Sequence, residues 1–196
     1  ESSIKMRLAG MLADTREERR ALIVAAKDNL KAAVASEEAQ IRKLIAAGAQ
    51  HILVSNIVDY GALPVVDLFA EQALAQATTA KQAKRIARLQ KVATRLSVKY
   101  NKLLAKKIAK IEKETGIDII EFDLFSSFAN QLDHAEELGF ANIDTPCIYT
   151  LDGFVVNPEC TDFPIATGFL FWDQYHTTGA SHSLVGNDAF NLIKSH

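Results

Sequence analysis

Apolar positions along this chain follow two rhythms, one near 3.6 residues and one continuous, and the two alternate. Thr15 and Glu18 have the spacing of a capping box, and Leu22, Ile23, Ala26, Leu30, Ala33 and Val34 then recur at helical intervals. Ser36 marks an interruption or the start of a second helix, which runs through Ile41, Leu44 and Ile45 to a stop at Gly48. Residues 51–57 (HILVSNI) read as a short buried parallel strand, closed by a loop holding Gly61 and Pro64. A second long helix follows, with Ile86, Leu89, Ala93, Leu96, Tyr100, Leu103, Lys107 and Ile111 on one face and Gly116 at its end. Residues 117–122 (IDIIEF) predict another strand, 124–132 a helix, 169–172 (FLFW) a third strand and 178–194 a final helix, with 139–167 irregular.

Strands alternating with helices predict one α/β domain over residues 1–196, with right-handed crossovers and a parallel sheet covered on both faces. Three strands make a thin sheet, so an upstream part is expected to supply more. The first residue is Glu1 rather than Met, which reads as a chain cut from something longer.

Composition narrows the function classes. With 48% apolar and 23% charged residues the chain has the profile of an ordinary globular domain. A formal net charge of −2 gives no reason to expect nucleic acid or an anionic membrane surface as a standing partner. The basic stretch over residues 81–113 has apolar residues at helical spacing and reads as a solvated helix face. No apolar run approaches the roughly 18 residues that predict a transmembrane helix.

Cys147 and Cys160 lie in a segment rich in turn residues, with Pro146, Gly153, Pro158 and Pro164. Such a pair is compatible with a disulfide, a partial metal site or two unrelated thiols. No His or Cys sits around them at zinc-finger spacing, and the disulfide reading is preferred. It would place the protein outside the cytosol, secreted or periplasmic.

Binding sites in open parallel sheets form beyond the carboxyl ends of strands. Two such ends are candidates, residues 55–61 and residues 172–182. In the second, Asp173 leaves the predicted strand and His176 follows three residues later, before a helix. A tight turn at that spacing puts the carboxylate beside Nδ1 and leaves Nε2 to accept a proton from a hydroxyl nucleophile. A bare Asp-x-x-His is more often a surface turn. The surrounding residues Phe-Leu-Phe-Trp-Asp173-Gln-Tyr-His176-Thr-Thr-Gly-Ala-Ser-His182 change that balance.

They resemble the last block of GDSL/SGNH esterases, which reads aromatic-Trp-Asp-x-x-His-Pro-Thr-x-x-Ala-His. Thr177 replaces the usual proline, and Ser181 separates Ala180 from His182, although His182 keeps its distance from His176. The likeness extends upstream. Residues 48–64 (GAQHILVSNIVDYGALP) are similar to the family's Gly-Ala, strand, Asn, loop and Gly-x-x-Pro segment. Tyr100-Asn101 with Leu104 resembles its helix, and Phe122 to Asn130, then Leu138 to Asn142 and Cys147, its next strand and loop. Nearly the whole chain is covered in the right order.

The resemblance implies a three-layer α/β/α sandwich, incomplete without an N-terminal segment, and a Ser-His-Asp mechanism. It also implies lipase or lysophospholipase-like chemistry on a lipid or other ester substrate, with acyltransferase relatives. Asp173 and His176 are then catalytic, and no cofactor or metal is needed. The family's Gly-Asp-Ser block and its Gly-x-Asn-Asp motif do not occur, so no nucleophile lies in this chain. Ser2 and Ser3 lack the Gly-Asp context, Ser181 and Ser183 follow no strand, and Ser55 is better read as packing or hydrogen bonding. The expected partner is an N-terminal fragment carrying the serine and the oxyanion donors. The start at Glu1 falls where the family has a variable loop, which suggests proteolytic processing.

Two other readings compete. A chain without a nucleophile suits a non-catalytic binding module or a pseudoenzyme retaining the fold. A metal-dependent hydrolase would use Asp173, His176 and His182, but it lacks a further ligand. His182 reads more readily as a structural hydrogen-bonding residue than a catalyst, His51 and His134 as structural, His196 is terminal, and Asp123 reads as a helix N-cap.

Overall fold

The computed structural model describes residues 1–151 and 153–196. The chain divides into two compact units, Glu1–Ala62 with Val66–Phe122, and Leu63–Val65 with Asp123–His196.

The first unit is mostly helical. Helices α1 (Ser2–Leu12) and α2 (Arg16–Ala46) are followed by strand β1 (Ile52–Ser55), helix α3 (Pro64–Ala75, whose first two residues belong to the other unit), α4 (Ala80–Ile86), α5 (Leu89–Thr115) and strand β2 (Ile119–Phe122). The capping box at Thr15 is formed: its Oγ1 accepts from the Glu18 N–H and the Glu18 carboxylate accepts from the Thr15 N–H, both at 3.1 Å. Helix α2 passes through Ser36 without interruption, because that serine sits on an exposed face where it costs the helix little.

The single long helix expected across residue 86 is instead two. α4 opens on its own capping box, Thr79 with Gln82, and the chain turns at Ala87 and Arg88 before α5. The buried stripe of α5 also drifts from the expected one, to Leu89, Ala93, Ser97, Leu104, Ile108 and Ile111. Lys107, expected on the apolar face, stretches to Glu38 at 2.7 Å. Pro64, expected to close a loop, begins α3: its fixed φ and missing N–H suit the first helical position.

β1 and β2 pair in parallel, with Ile52 opposite Ile119 and Ser55 opposite Phe122. One face of this ribbon, through Ile52, Val54 and Ile119, packs on Ile41, Leu104, Ile108 and Ile111. Burying aliphatic side chains of this size contributes about 1.5–3 kcal/mol each, and this cluster anchors the strands between α2 and α5.

The second unit holds α6 (Leu124–Asp133), a short antiparallel hairpin of β3 (Ile148–Tyr149) and β4 (Val155–Val156), and α7 (Gly179–Ser195). In the run at 169–172, Phe169 is buried, Leu170 and Phe171 are fully enclosed and Trp172 is half-buried, but the run is not a sheet strand. It makes isolated bridges only, Asn142 with Phe169 and Phe171 with Thr177. Its backbone partners are loop residues: the Leu170 N–H donates to Asn142 O, and Phe171 O and Trp172 O accept from Cys147 and Ile148. The apolar run reported burial faithfully; pairing was decided by which backbone lay beside it. The fold is therefore α/β with a small parallel sheet.

Candidate active site

Phe171 and Thr177 bridge across the mouth of a tight loop that carries both Asp173 and His176. The Trp172 N–H donates to His176 O at 2.8 Å, which closes the turn. Within it Asp173 Oδ1 accepts from the Tyr175 and His176 N–H groups, both at 2.8 Å. This is the habit of aspartate in turns, where the short carboxylate replaces a backbone acceptor. The same carboxylate meets the imidazole: Oδ1 and Oδ2 each lie 2.9 Å from His176 Nδ1.

Electrostatics follow from this geometry. Burial works to raise the Asp173 carboxyl, but the hydrogen bonds from the His176 ring and from the Tyr175 and His176 N–H groups outweigh it and hold it below its ordinary value. The aspartate side chain is 13% exposed and the histidine 70%. A fixed anion thus holds one edge of an open imidazole. With the proton on Nδ1, the lone pair of the ring stands on Nε2, the arrangement a general base requires.

Gln174 anchors the loop. It is 2% exposed. Its Oε1 accepts from both the N–H and the hydroxyl of Thr150, at 3.2 and 3.0 Å, and its backbone O accepts from the Val65 N–H at 3.0 Å. Thr178 secures the far end, its hydroxyl on Phe169 O and its N–H on Leu170 O, both at 2.9 Å. A buried glutamine runs against the usual preference of its type, so only its place inside Asp-x-x-His marked it.

Cys147 and Cys160 are joined by a disulfide, with Cα atoms 5.2 Å apart. Around them pack Ile148, Ala166 and Phe169, with Val156 and Trp172 at the edge. Trp172 stacks on Phe163 at 5.5 Å between ring centres, and Phe163 meets Phe154 edge-on at 5.8 Å. A row of rings therefore leads from the Asp173 loop to a surface where Phe154 and Ile165 are 64% and 74% exposed.

The other residues singled out in the sequence lie elsewhere. Ser181 is buried and donates to Gln131 Oε1 at 2.6 Å, and Ser183 donates to Gly179 O. Ser3 donates to Ala26 O and accepts from Asn29. Asp123 caps α6, accepting from the N–H and hydroxyl of Ser126. His134 bonds the Asn130 carbonyl, and His182 is exposed on the first turn of α7. Among the described residues, no three His, Cys, Asp or Glu side chains are placed to hold a metal ion. In the first unit, the loop after β1 is held by α5: Asn101 grips the N–H and O of Ile57, both at 3.0 Å, and Ser97 Oγ accepts from the Tyr60 N–H.

An aspartate-clamped, open histidine on a tight loop before a helix has the geometry a general base can use. The family model for GDSL-like Lipase/Acylhydrolase matches residues 15–189, and the chain belongs to that family. No curated protein matches it. Family membership makes this a hydrolase domain of esterase or lipase type with an α/β fold. Among the described residues no helix is long and apolar enough to cross a membrane.

Proposed function

We propose that this chain supplies the Asp and His of a Ser-His-Asp ester hydrolase, and that a segment N-terminal to it supplies the serine and the oxyanion donors. The observation that carries this is the clamp of Asp173 on His176 Nδ1 beside an exposed ring. Nε2 of His176 takes the serine proton as the hydroxyl oxygen attacks the acyl carbonyl carbon. The tetrahedral adduct collapses, His176 returns that proton to the leaving alcohol, and an acyl-serine remains. Water then attacks the acyl carbon with its proton going to His176, and the acid leaves as the serine regains its hydrogen. An alcohol in place of water gives acyl transfer. Asp173 stays ionised throughout and steadies the imidazolium.

In this reading the upstream segment also completes the three-layer sandwich. The disulfide supports a secreted or periplasmic protein, since such bonds persist in oxidising compartments. The exposed Phe154 and Ile165 support a substrate with an apolar acyl part, as in lipids and lysophospholipids. The lack of a Gly-Asp-Ser block within the chain favours a second reading, a non-catalytic binding module. Hydrolysis of a p-nitrophenyl ester separates the two. The chain extended by a Gly-Asp-Ser segment hydrolyses the ester, and His176→Ala abolishes it. An extended chain that folds and leaves the ester intact contradicts the proposal.

A further inference from the structure

In the first unit, α1, α2, α4 and the start of α5 enclose a cavity of about 510 Å³. That volume is within the usual range for small-molecule sites, roughly 300–1,000 Å³. Its wall carries Arg7, Arg19, Arg85, Arg88, Lys91 and Arg95 and no carboxylate. In a chain of net charge −2, this gathers six of the 22 Lys and Arg residues around one hollow. Of these, Arg88, Lys91 and Arg95 are exposed on the solvated helix face that the sequence predicts, and Arg85 is half-buried.

None of the six forms an ion pair among the described residues. Arg85 donates to Met11 O and Ala13 O, and Arg19 to Ala13 O and Asp14 O, so both are positioned by neutral carbonyls and keep their charge. The nearby acids point to other groups, Glu18 closing the capping box with Thr15 and Asp14 accepting from Gln82, although Glu18 still feels the charge of Arg19. Arg88, Lys91 and Arg95 share one face of α5 at its N-terminal end, where the helix dipole is already positive and the first turn has no acid. Burial lowers the Arg7 guanidinium from its ordinary value, as expected for a cation drawn from water without a counter-charge. Met11, Ile23 and Val92 give the cavity an apolar side.

We propose that this cavity binds the phosphate group of a phosphate ester, with the organic part of the ester against Met11, Ile23 and Val92. Arginine predominates on the wall, and its planar fork matches phosphate oxygens two at a time. No residue of the cavity belongs to the Asp173–His176 loop, so its test does not depend on the esterase proposal.

Titration calorimetry of the whole chain with inorganic phosphate and with monomeric dodecyl phosphate tests this. Arg88 and Arg95 are exposed and hold no other group, so Arg88→Gln/Arg95→Gln keeps the fold, checked by circular dichroism. The double variant is expected to weaken binding of both ligands at least tenfold. Lys106→Gln/Lys113→Gln, the same charge loss on exposed α5 positions outside the cavity, leaves it unchanged. Dodecyl phosphate binding at least tenfold tighter than phosphate assigns the site to a lipid-type head group, and equal affinity to a soluble ester. Absence of saturable binding, or a cavity variant that binds like the control, overturns the proposal.

Discussion

Both carboxylate oxygens of Asp173 lie 2.9 Å from Nδ1 of His176, and the aspartate is in turn fixed by two backbone N–H groups of its own turn. The clamp is therefore built by seven residues of local chain, closed by the Phe171–Thr177 bridge. A carboxylate with its lone pairs so occupied holds the ring in one tautomer.

Asp173→Asn keeps the shape of the turn but removes the charge and turns one of the two oxygens facing Nδ1 into a donor NH2, so the tautomer is no longer specified. In the serine-bearing extended chain, kcat should fall by about 10⁴, the loss known for this substitution in a serine protease triad. Initial-rate kinetics on a p-nitrophenyl ester check it. A loss below tenfold would mean that Asp173 does not orient the base.

Acid should weaken the same turn. The Asp173 carboxyl lies below its ordinary value in the folded chain. A depressed carboxyl contributes stability that is present above its unfolded value, about 3.9, and is lost as pH falls through the folded one. Urea midpoints for the parent chain and Asp173→Asn should differ at pH 5–7, with the gap narrowing as pH falls below about 4. A constant gap down to pH 3 contradicts this.

Gln174→Ala removes the acceptor shared by the Thr150 N–H and hydroxyl. Thr150 is exposed and water can take over, so the loss is that of the net hydrogen bonds, about 0.5–1.5 kcal/mol each. Thermal melts should register that loss, and ester hydrolysis in the extended chain should fall with it. Unchanged stability and activity would show that the amide does not hold the loop.

Gly61 packs directly on α5. A Cβ there would lie 2.5 Å from Gln90 O and would also strike the Thr94 hydroxyl. Gly61→Ala should destabilise the chain by about 1–3 kcal/mol, the usual range for overpacking. Adding Thr94→Ala should not rescue it, because the Gln90 carbonyl is backbone. Full rescue in denaturant unfolding would refute this account of the contact.

Replacing Cys147 and Cys160 by serine releases a bond between residues 13 apart. On the chain-entropy model that removes about 3 kcal/mol of stability. Unfolding midpoints of the variant and of the reduced parent should drop together, and a midpoint that does not move argues against the model.

How far this could be read from sequence varied with how local the cause was. The capping box at Thr15, the stop at Gly116 and the N-cap at Asp123 are decided within a few residues, and all three form as the spacing predicts. Ile52 and Ile119 announce burial by composition, and they do pair. The run at 169–172 shows the limit, because burial was legible but its partners, the backbone of Asn142, Cys147 and Ile148, were not. The turn that unites Asp173 and His176 was visible in Asp-x-x-His. Gln174 was not, since its partner Thr150 lies 24 residues away with no pattern linking them.

The most direct test of the central claim is mass-spectrometric labelling with a fluorophosphonate, on this chain alone and on the chain extended by a Gly-Asp-Ser segment. The account predicts no adduct on the first, and on the second one adduct on the segment's serine that disappears in His176→Ala. An adduct on any serine of the 196-residue chain itself, or a folded extended chain that takes no label, would contradict it.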